Sequence, residues 1–186
     1  MASDPPRKDS GLESKRREIL EIVRARKQAE KVIELEEGTE QIVFVTLAGA
    51  LYGLEGKYVK EILTVPDITF VPSVPPHVLG VINLRGDVES VFDVRQVLGL
   101  ADSVTGKSSR IVLAAVGDVR SGILVDSVEE VASVPRSRIA PPLHTMEKIK
   151  AEFLVGETTL GDRNAVILSI EQIWKKVLAP ESPERR

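Results

Sequence analysis

Two periodicities divide the chain. Between residues 12 and 37 apolar side chains recur at helical spacing. Leu12, Ile19, Ile22, Val23, Ala29, Val32 and Ile33 fall near one stripe, interrupted by Arg26. Ser10 stands where an N-cap belongs, Glu13 completes a capping box three residues later, and Gly38 supplies a stop. The pattern predicts a helix over residues 11–38 behind a polar, Pro-containing tail over residues 1–10. From Gln41 onward the texture becomes that of short strands separated by turn residues. Runs 41–47 and 51–54 flank Ala48-Gly49-Ala50, and runs 81–84 and 88–94 flank Arg85-Gly86-Asp87. Runs 110–116 and 121–125 flank Gly117-Asp118, and runs 151–158 and 164–168 flank Leu160-Gly161-Asp162. Each reads as a hairpin, and about ten such strands suggest small barrels or a sandwich.

The strand region also repeats itself. Gly53 recurs as Gly122, Val59-Lys60-Glu61-Ile62 as Val128-Glu129-Glu130-Val131, and Val65-Pro66 as Val134-Pro135, all 69 residues on. Further along the offset becomes 76: Gly80 recurs as Gly156, Val94 as Ile170, Gln96 as Gln172 and Val97 as Ile173. Each half thus reads as hairpin, V-x-E-[IV] strand, V-P turn, hairpin and short terminal helix. The shared offsets involve Gly, Pro and Glu as well as apolar residues, which predicts two related subdomains.

Composition sharpens the class. The chain holds 25 Val and 14 Ile against 18 Leu, with only seven aromatic residues. β-branched side chains suit a pleated, half-buried surface, so the expected fold is all-β with short helices. Residues 1–40 carry nine Lys/Arg and ten Asp/Glu, which sets the N-terminal segment apart. That helix reads as a solvated face or as a surface for partner or self-association. No apolar run approaches the roughly 18 residues that span a bilayer, and the N-terminus does not resemble a signal peptide. A net charge of −3 gives no global bias towards nucleic acid or anionic lipid. The absence of Cys removes disulfides and thiolate chemistry, and fits a reducing compartment. The expectation is a cytoplasmic protein with no nucleic-acid partner and no direct membrane insertion.

Candidate catalytic chemistry is thin. His77 and His144 stand alone, with no second ligand at metal spacing. Thr105-Gly106-Lys107-Ser108 ends like a phosphate-binding loop, but Ala101 occupies the position of the required first Gly. Asp93, Asp126, Glu129 and Glu130 read as edge charges and turn or cap acceptors. Trp174 shares a core-facing stripe with Ile170, Ile173 and Val177. No catalytic residue, cofactor or metal site is expected.

One block is specific. Val71-Pro72 is followed by Pro75-Pro76-His77-Val78-Leu79-Gly80-Val81-Ile82-Asn83-Leu84-Arg85-Gly86, then Val91-Phe92-Asp93-Val94-Arg95. Tyr52-Gly53-Leu54, Val59-x-Glu61-Ile62 and Gly122-Ile123-Leu124-Val125-Asp126-x-Val128 lie on either side. In this order and spacing the chain resembles the CheW family of chemotaxis coupling proteins from about residue 41 to 178. Ser90 departs from the Pro of many members, Glu89 adds a charge to that strand, and the N-terminal extension has no counterpart in minimal members.

The resemblance implies two five-stranded, Src-homology-3-like β-barrel subdomains sharing a core over residues 39–180, preceded by the N-terminal α-helix and followed by a tail over 181–186. It implies a non-enzymatic adaptor that couples chemoreceptors to a CheA-type histidine kinase. Such an adaptor binds the receptor's cytoplasmic hairpin tip and the kinase's regulatory domain, and joins membrane-bound arrays through protein contacts. A coupling protein of a non-flagellar system, for surface motility or gene regulation, is the alternative, and a small-ligand sensor a further one. The receptor-binding positions implied are Val59, Glu61, Ile62, Gly80, Asn83, Leu84, Arg85 and Gly86; kinase-binding residues are left unassigned. Physically, Val59, Ile62 and Leu84 offer an apolar floor to a helix face, and Glu61 a charged rim that sets register. Arg85 offers a rigid fork of donors to a partner, or to Glu61 or Asp93 within the chain. Asn83 suits a backbone bond, Gly86 a turn, and Gly80 the close approach of a partner helix.

Overall fold

The computed structural model describes residues 15, 16, 19–22, 24, 38–142 and 149–179. The expected tails over 1–10 and 181–186, most of the expected helix over 11–38, and His144 lie outside the described residues. The chain divides into a unit up to Thr39 and a unit from Glu40 onward. In the first, the described residues from 15 to 24 are helical.

Among the described residues, the second unit contains ten strands and two short α-helices. The first half supplies β1 (Thr39–Leu47), β2 (Ala50–Glu55), β3 (Val59–Thr64), β4 (Val78–Leu84), β5 (Asp87–Phe92) and α1 (Val94–Leu98). The second supplies β6 (Arg110–Val116), β7 (Val119–Val125), β8 (Ser127–Pro135), β9 (Leu154–Leu160), β10 (Arg163–Leu168) and α2 (Ile170–Val177). All four predicted hairpins form: β1–β2, β4–β5, β6–β7 and β9–β10. At Ala48-Gly49 and Arg85-Gly86 both turn residues have positive φ, 49° and 78° in the first and 56° and 98° in the second. Such turns match the twist of the strands they join. Val134-Pro135 does not form the expected turn. Both residues end β8 and are buried, and Pro is tolerated there because its missing N–H falls at a strand end.

The sequence halves do not each make a sheet. One sheet runs β8-β1-β2-β10-β9 and the other β3-β6-β7-β5-β4. Advancing every strand by five converts the first order into the second, so the repeat is a pseudo-twofold in which each half lends strands to both sheets. The equivalence extends to single atoms. Gly53 pairs with Ile167 across the parallel β2–β10 ladder, and Gly122 with Val91 across β7–β5. A Cβ on Gly53 would lie 2.7 Å from Ile42 Cγ2, and one on Gly122 2.5 Å from Ile111 Cγ2. All three pairs of counterparts obey the offsets of 69 or 76 residues.

Each sheet curls into a barrel with its own small core. Ile82, Val91, Ile111 and Leu124, with Leu63 and Leu79, bring all five strands of one sheet into one cluster. Ile42, Phe44, Leu51, Val134 and Ile167, with Leu160, do the same for the other. A larger cluster lies between the sheets and takes in both helices, with Val112, Ile123, Phe92, Val166 and Trp174 among its members. Trp174 meets Phe92 edge-on at 5.8 Å between centroids, a favourable aromatic geometry.

Candidate functional site

The residues singled out on β3 are sorted by a bulge. Val59 pairs with Ala114 and Glu61 with Leu113, so Lys60 is the extra residue between them. The register then continues with Ile62 opposite Val112. Directly paired residues share a face, so Val59 and Ile62 lie on one side of the sheet and Glu61 on the other. Without the bulge, residues three apart would have opposed each other. Val59 and Ile62 each head a row that crosses all five strands. One row runs Ile62, Val112, Ile123, Phe92, Val78, and the other Val59, Ala114, Ser121, Ser90, Val81. Val112, Ile123 and Phe92 of the first row are buried in the core between the sheets, Val78 at its β4 end is half-buried, and Ile62 at its β3 end is 37% exposed. Val59 packs on the margin of the same core.

Leu84 does not join this floor. Alternation along β4 places it on the face of Ile82, which points into the barrel. The expected single apolar floor of Val59, Ile62 and Leu84 is therefore corrected to Val59 and Ile62 alone.

Glu61 and Leu84 belong instead to the mouth of that barrel, which charged pairs close. Arg85 Nη2 donates to Glu61 Oε1 at 2.8 Å, so the internal partner of Arg85 is Glu61 and not Asp93. β3 and β4 are the two edges of their sheet, and this pair stitches them together. The Arg85 side chain remains 77% exposed. Thr69, in the connection after β3, exchanges both backbone hydrogen bonds with Val81 at 2.8 and 2.9 Å, reinforcing the seam. Gly80 sits beneath that bridge. Its φ is 141°, and a Cβ there would lie 2.2 Å from the Thr69 carbonyl oxygen. Gly80 is buried, so the backbone that approaches it is the chain's own and not a partner helix. Asn83 Oδ1 accepts from Gly86 N–H at 3.1 Å and closes the turn, the backbone bond expected of it.

Glu89, the additional charge on β5, is buried beside Ile82 in the ladder. Arg120 Nε donates to Glu89 Oε1 at 2.5 Å and its Nη2 to Asp87 Oδ2 at 3.0 Å. Both acceptors raise the Arg120 pKa, Glu89 foremost. Ser90, in place of the more usual Pro, makes a 2.8 Å hydroxyl bond to Ser121. On the opposite face from Glu89, Val88 and Val119 are exposed at the hairpin tips.

A second polar cluster was not legible from sequence. Arg95 is 2% exposed, yet it donates to Asp93 Oδ1 and Oδ2 at 2.8 Å each and to Asp126 Oδ1 at 2.7 Å. Ser103 bonds to both Arg95 and Asp126. The Asp93 side chain also accepts from Arg95 N–H at 3.0 Å, capping α1. The hydrogen bonds that Arg95 donates to Asp93, with the nearby acidic charges, raise the Arg95 pKa against the opposing effect of burial. Ser169 occupies the matching cap of α2, accepting from Gln172 N–H at 3.3 Å. The Asp-x-Arg spacing in the sequence was the available signal: it places a cap and a cation two residues apart. On β8, Glu129 accepts from Ser127, Arg163 and Thr46, which hold its carboxyl below the ordinary glutamate range.

Among the described residues no group of three or more His, Cys, Asp or Glu side chains is placed to hold a metal ion. No described helix is long and apolar enough to cross a membrane.

Comparison with known proteins matches residues 41–177 to the model of the CheW-like domain. The chemotaxis protein CheW of Bacillus subtilis is 37% identical over 141 residues, covering 72% of this chain and 90% of the relative. The CheW of Helicobacter pylori is 28% identical over 165 residues, covering 86% and 97%. Among solved structures, the scaffolding protein TtCheW of Thermoanaerobacter tengcongensis superposes with a TM-score of 0.67 at 30% identity, covering 74% of this chain and 88% of that one.

Proposed function

The chain belongs to the CheW-like domain family, and from that membership we propose that it couples chemoreceptors to a CheA-type histidine kinase. At the coarser level it is a chemotaxis scaffold. The finer reading is that the exposed edge strand β3 receives one face of the receptor's helical hairpin tip. The observation that carries it is the edge strand β3 itself, where Ile62 is exposed on one face and the adjacent Glu61 holds the exposed Arg85 on the other. An apolar anchor beside a charged pair suits helix-in-groove recognition, in which the anchor supplies affinity and the charges supply register. Asn83, Gly80 and Gly86 support this surface by holding the β4–β5 hairpin and its edge bridge in place. The kinase's regulatory domain docks elsewhere, and the exposed Val88 and Val119 offer apolar contact for it. Simultaneous engagement of two partners makes weak single contacts sufficient, because the second binding event becomes effectively intramolecular. The protein then acts without catalysis, in the cytoplasm, held at membrane arrays through its partners.

The test is a pull-down with a receptor tip fragment, using Arg85→Ala, Glu61→Ala and Ile62→Asp. Each variant should lose at least about tenfold in affinity, about 1.4 kcal/mol, with an unchanged circular dichroism spectrum. Full binding by all three well-folded variants would refute the site.

A further inference from the structure

The strand orders carry a consequence that goes beyond partner binding. Four of the eight strand junctions, β8–β1, β2–β10, β3–β6 and β7–β5, join the first half of the chain to the second. The four junctions within a half are only the local hairpins. Every apolar cluster is also mixed. One barrel core combines Ile42, Phe44 and Leu51 with Val134, Ala165 and Ile167, and the other combines Ile82 and Val91 with Ile111 and Leu124. Deprived of the other half, either half retains two isolated hairpins and a single strand with nothing beside it. Two-stranded hairpins are at best marginally stable in water.

The covalent connection between the halves contributes little of this. After α1, Ser103 is tied to Arg95 and Asp126, but residues 104–108 are all exposed, and a Cβ on Gly106 would meet nothing within 4 Å. Between Ser103 and Ser109 the chain therefore serves as a tether, and the specificity lies in the interleaved sheets.

We propose that the two halves, divided near Gly106, are obligate complementary partners that rebuild the double barrel in trans, so that the first half of one molecule pairs with the second half of another copy. The β3 face described above depends on this pairing. Glu61 and Arg85 both lie in the first half, yet β3 and β4 belong to one sheet only through β6 and β7 of the second.

The test uses the full chain with a protease recognition sequence inserted between Gly106 and Lys107. The uncut variant should melt with the parent, which isolates the effect of cutting. After cleavage the two halves should still elute together at the mass of the uncut chain. Their thermal midpoint should fall on hundredfold dilution, whereas that of the uncut chain should not. Cleaved preparations labelled with a donor on the first half or an acceptor on the second, unfolded together and diluted from denaturant, should show energy transfer. Separation into half-size species that keep their β circular dichroism would overturn the proposal. So would a midpoint independent of concentration, or refolding without transfer.

Discussion

Replacing Arg95 by Met keeps the apolar stem and removes three hydrogen bonds of 2.7–2.8 Å to two carboxylates. The Asp93 side chain is only 9% exposed and that of Asp126 21%, so Asp93 is left as a charge with little solvent. Its remaining donor is the Arg95 backbone N–H, which the substitution spares. Breaking one side of a buried pair costs about 3–5 kcal/mol, most of it from the stranded charge. With a urea m-value of about 2 kcal/mol/M, typical of a small domain, the midpoint should fall by roughly 2 M. The sole Trp, Trp174, is 2% exposed in the core between the sheets and serves as the fluorescence probe. Adding Asp93→Asn to Arg95→Met should recover much of the loss. Asn still caps the helix, and the stranded charge is gone. A midpoint shift below about 0.5 M, or a double variant no better than the single one, would show that the network does not behave as a buried ion pair.

Two further outcomes follow from the geometry. Gly80→Ala forces a methyl group to within 2.2 Å of the Thr69 carbonyl at a φ of 141°, so the Thr69–Val81 bridge must open. The loss should be about 3 kcal/mol, the upper range for point substitutions, and hydrogen exchange at the Val81 amide should accelerate; parental stability would refute the assignment. For Glu129, a carboxyl pKa depressed in the folded state gives stabilisation that is complete above the unfolded-state value and is lost as pH falls through the folded-state value. The wild-type Tm should therefore fall more steeply than that of Glu129→Gln once the pH drops below about 4.3, and parallel profiles would contradict the reasoning.

Local signals were legible wherever the chemistry is local. The Gly-containing turns marked all four hairpins, and the offsets of 69 and 76 residues revealed the duplication. The helix-spaced stripe of Ile170, Ile173, Trp174 and Val177 marked α2, whereas the caps Asp93 and Ser169 emerged only with the structure. What remained hidden depends on partners brought together by the fold. Tyr52 pairs with Val166, more than a hundred residues away, and nothing near either residue announces it. Two equal halves therefore suggested two related subdomains sharing a core, but not that each sheet draws strands from both halves. The bulge at Lys60 was equally invisible, and it decides which face Ile62 shares with Val59. Glu89 read only as an additional charge on its strand because its neutralising partner, Arg120, is contributed by a neighbouring strand. Asp93 and Arg95 stood in one motif and Asp126 in another until the end of β7 was brought against the start of α1.

The exchange of strands also sets a schedule for biosynthesis. When α1 leaves the ribosome, β3 still has no neighbour, because its partner β6 comes next in the chain. β2 must wait longer, until β10 has been made. The stretch from Arg110 to Val177 is 68 residues long. At about 5–20 residues per second it takes roughly 3–14 s to synthesise. Until that interval ends the first half has its two local hairpins but lacks some of its final neighbours, so the free edges of its Val- and Ile-rich strands stay open to other nascent chains.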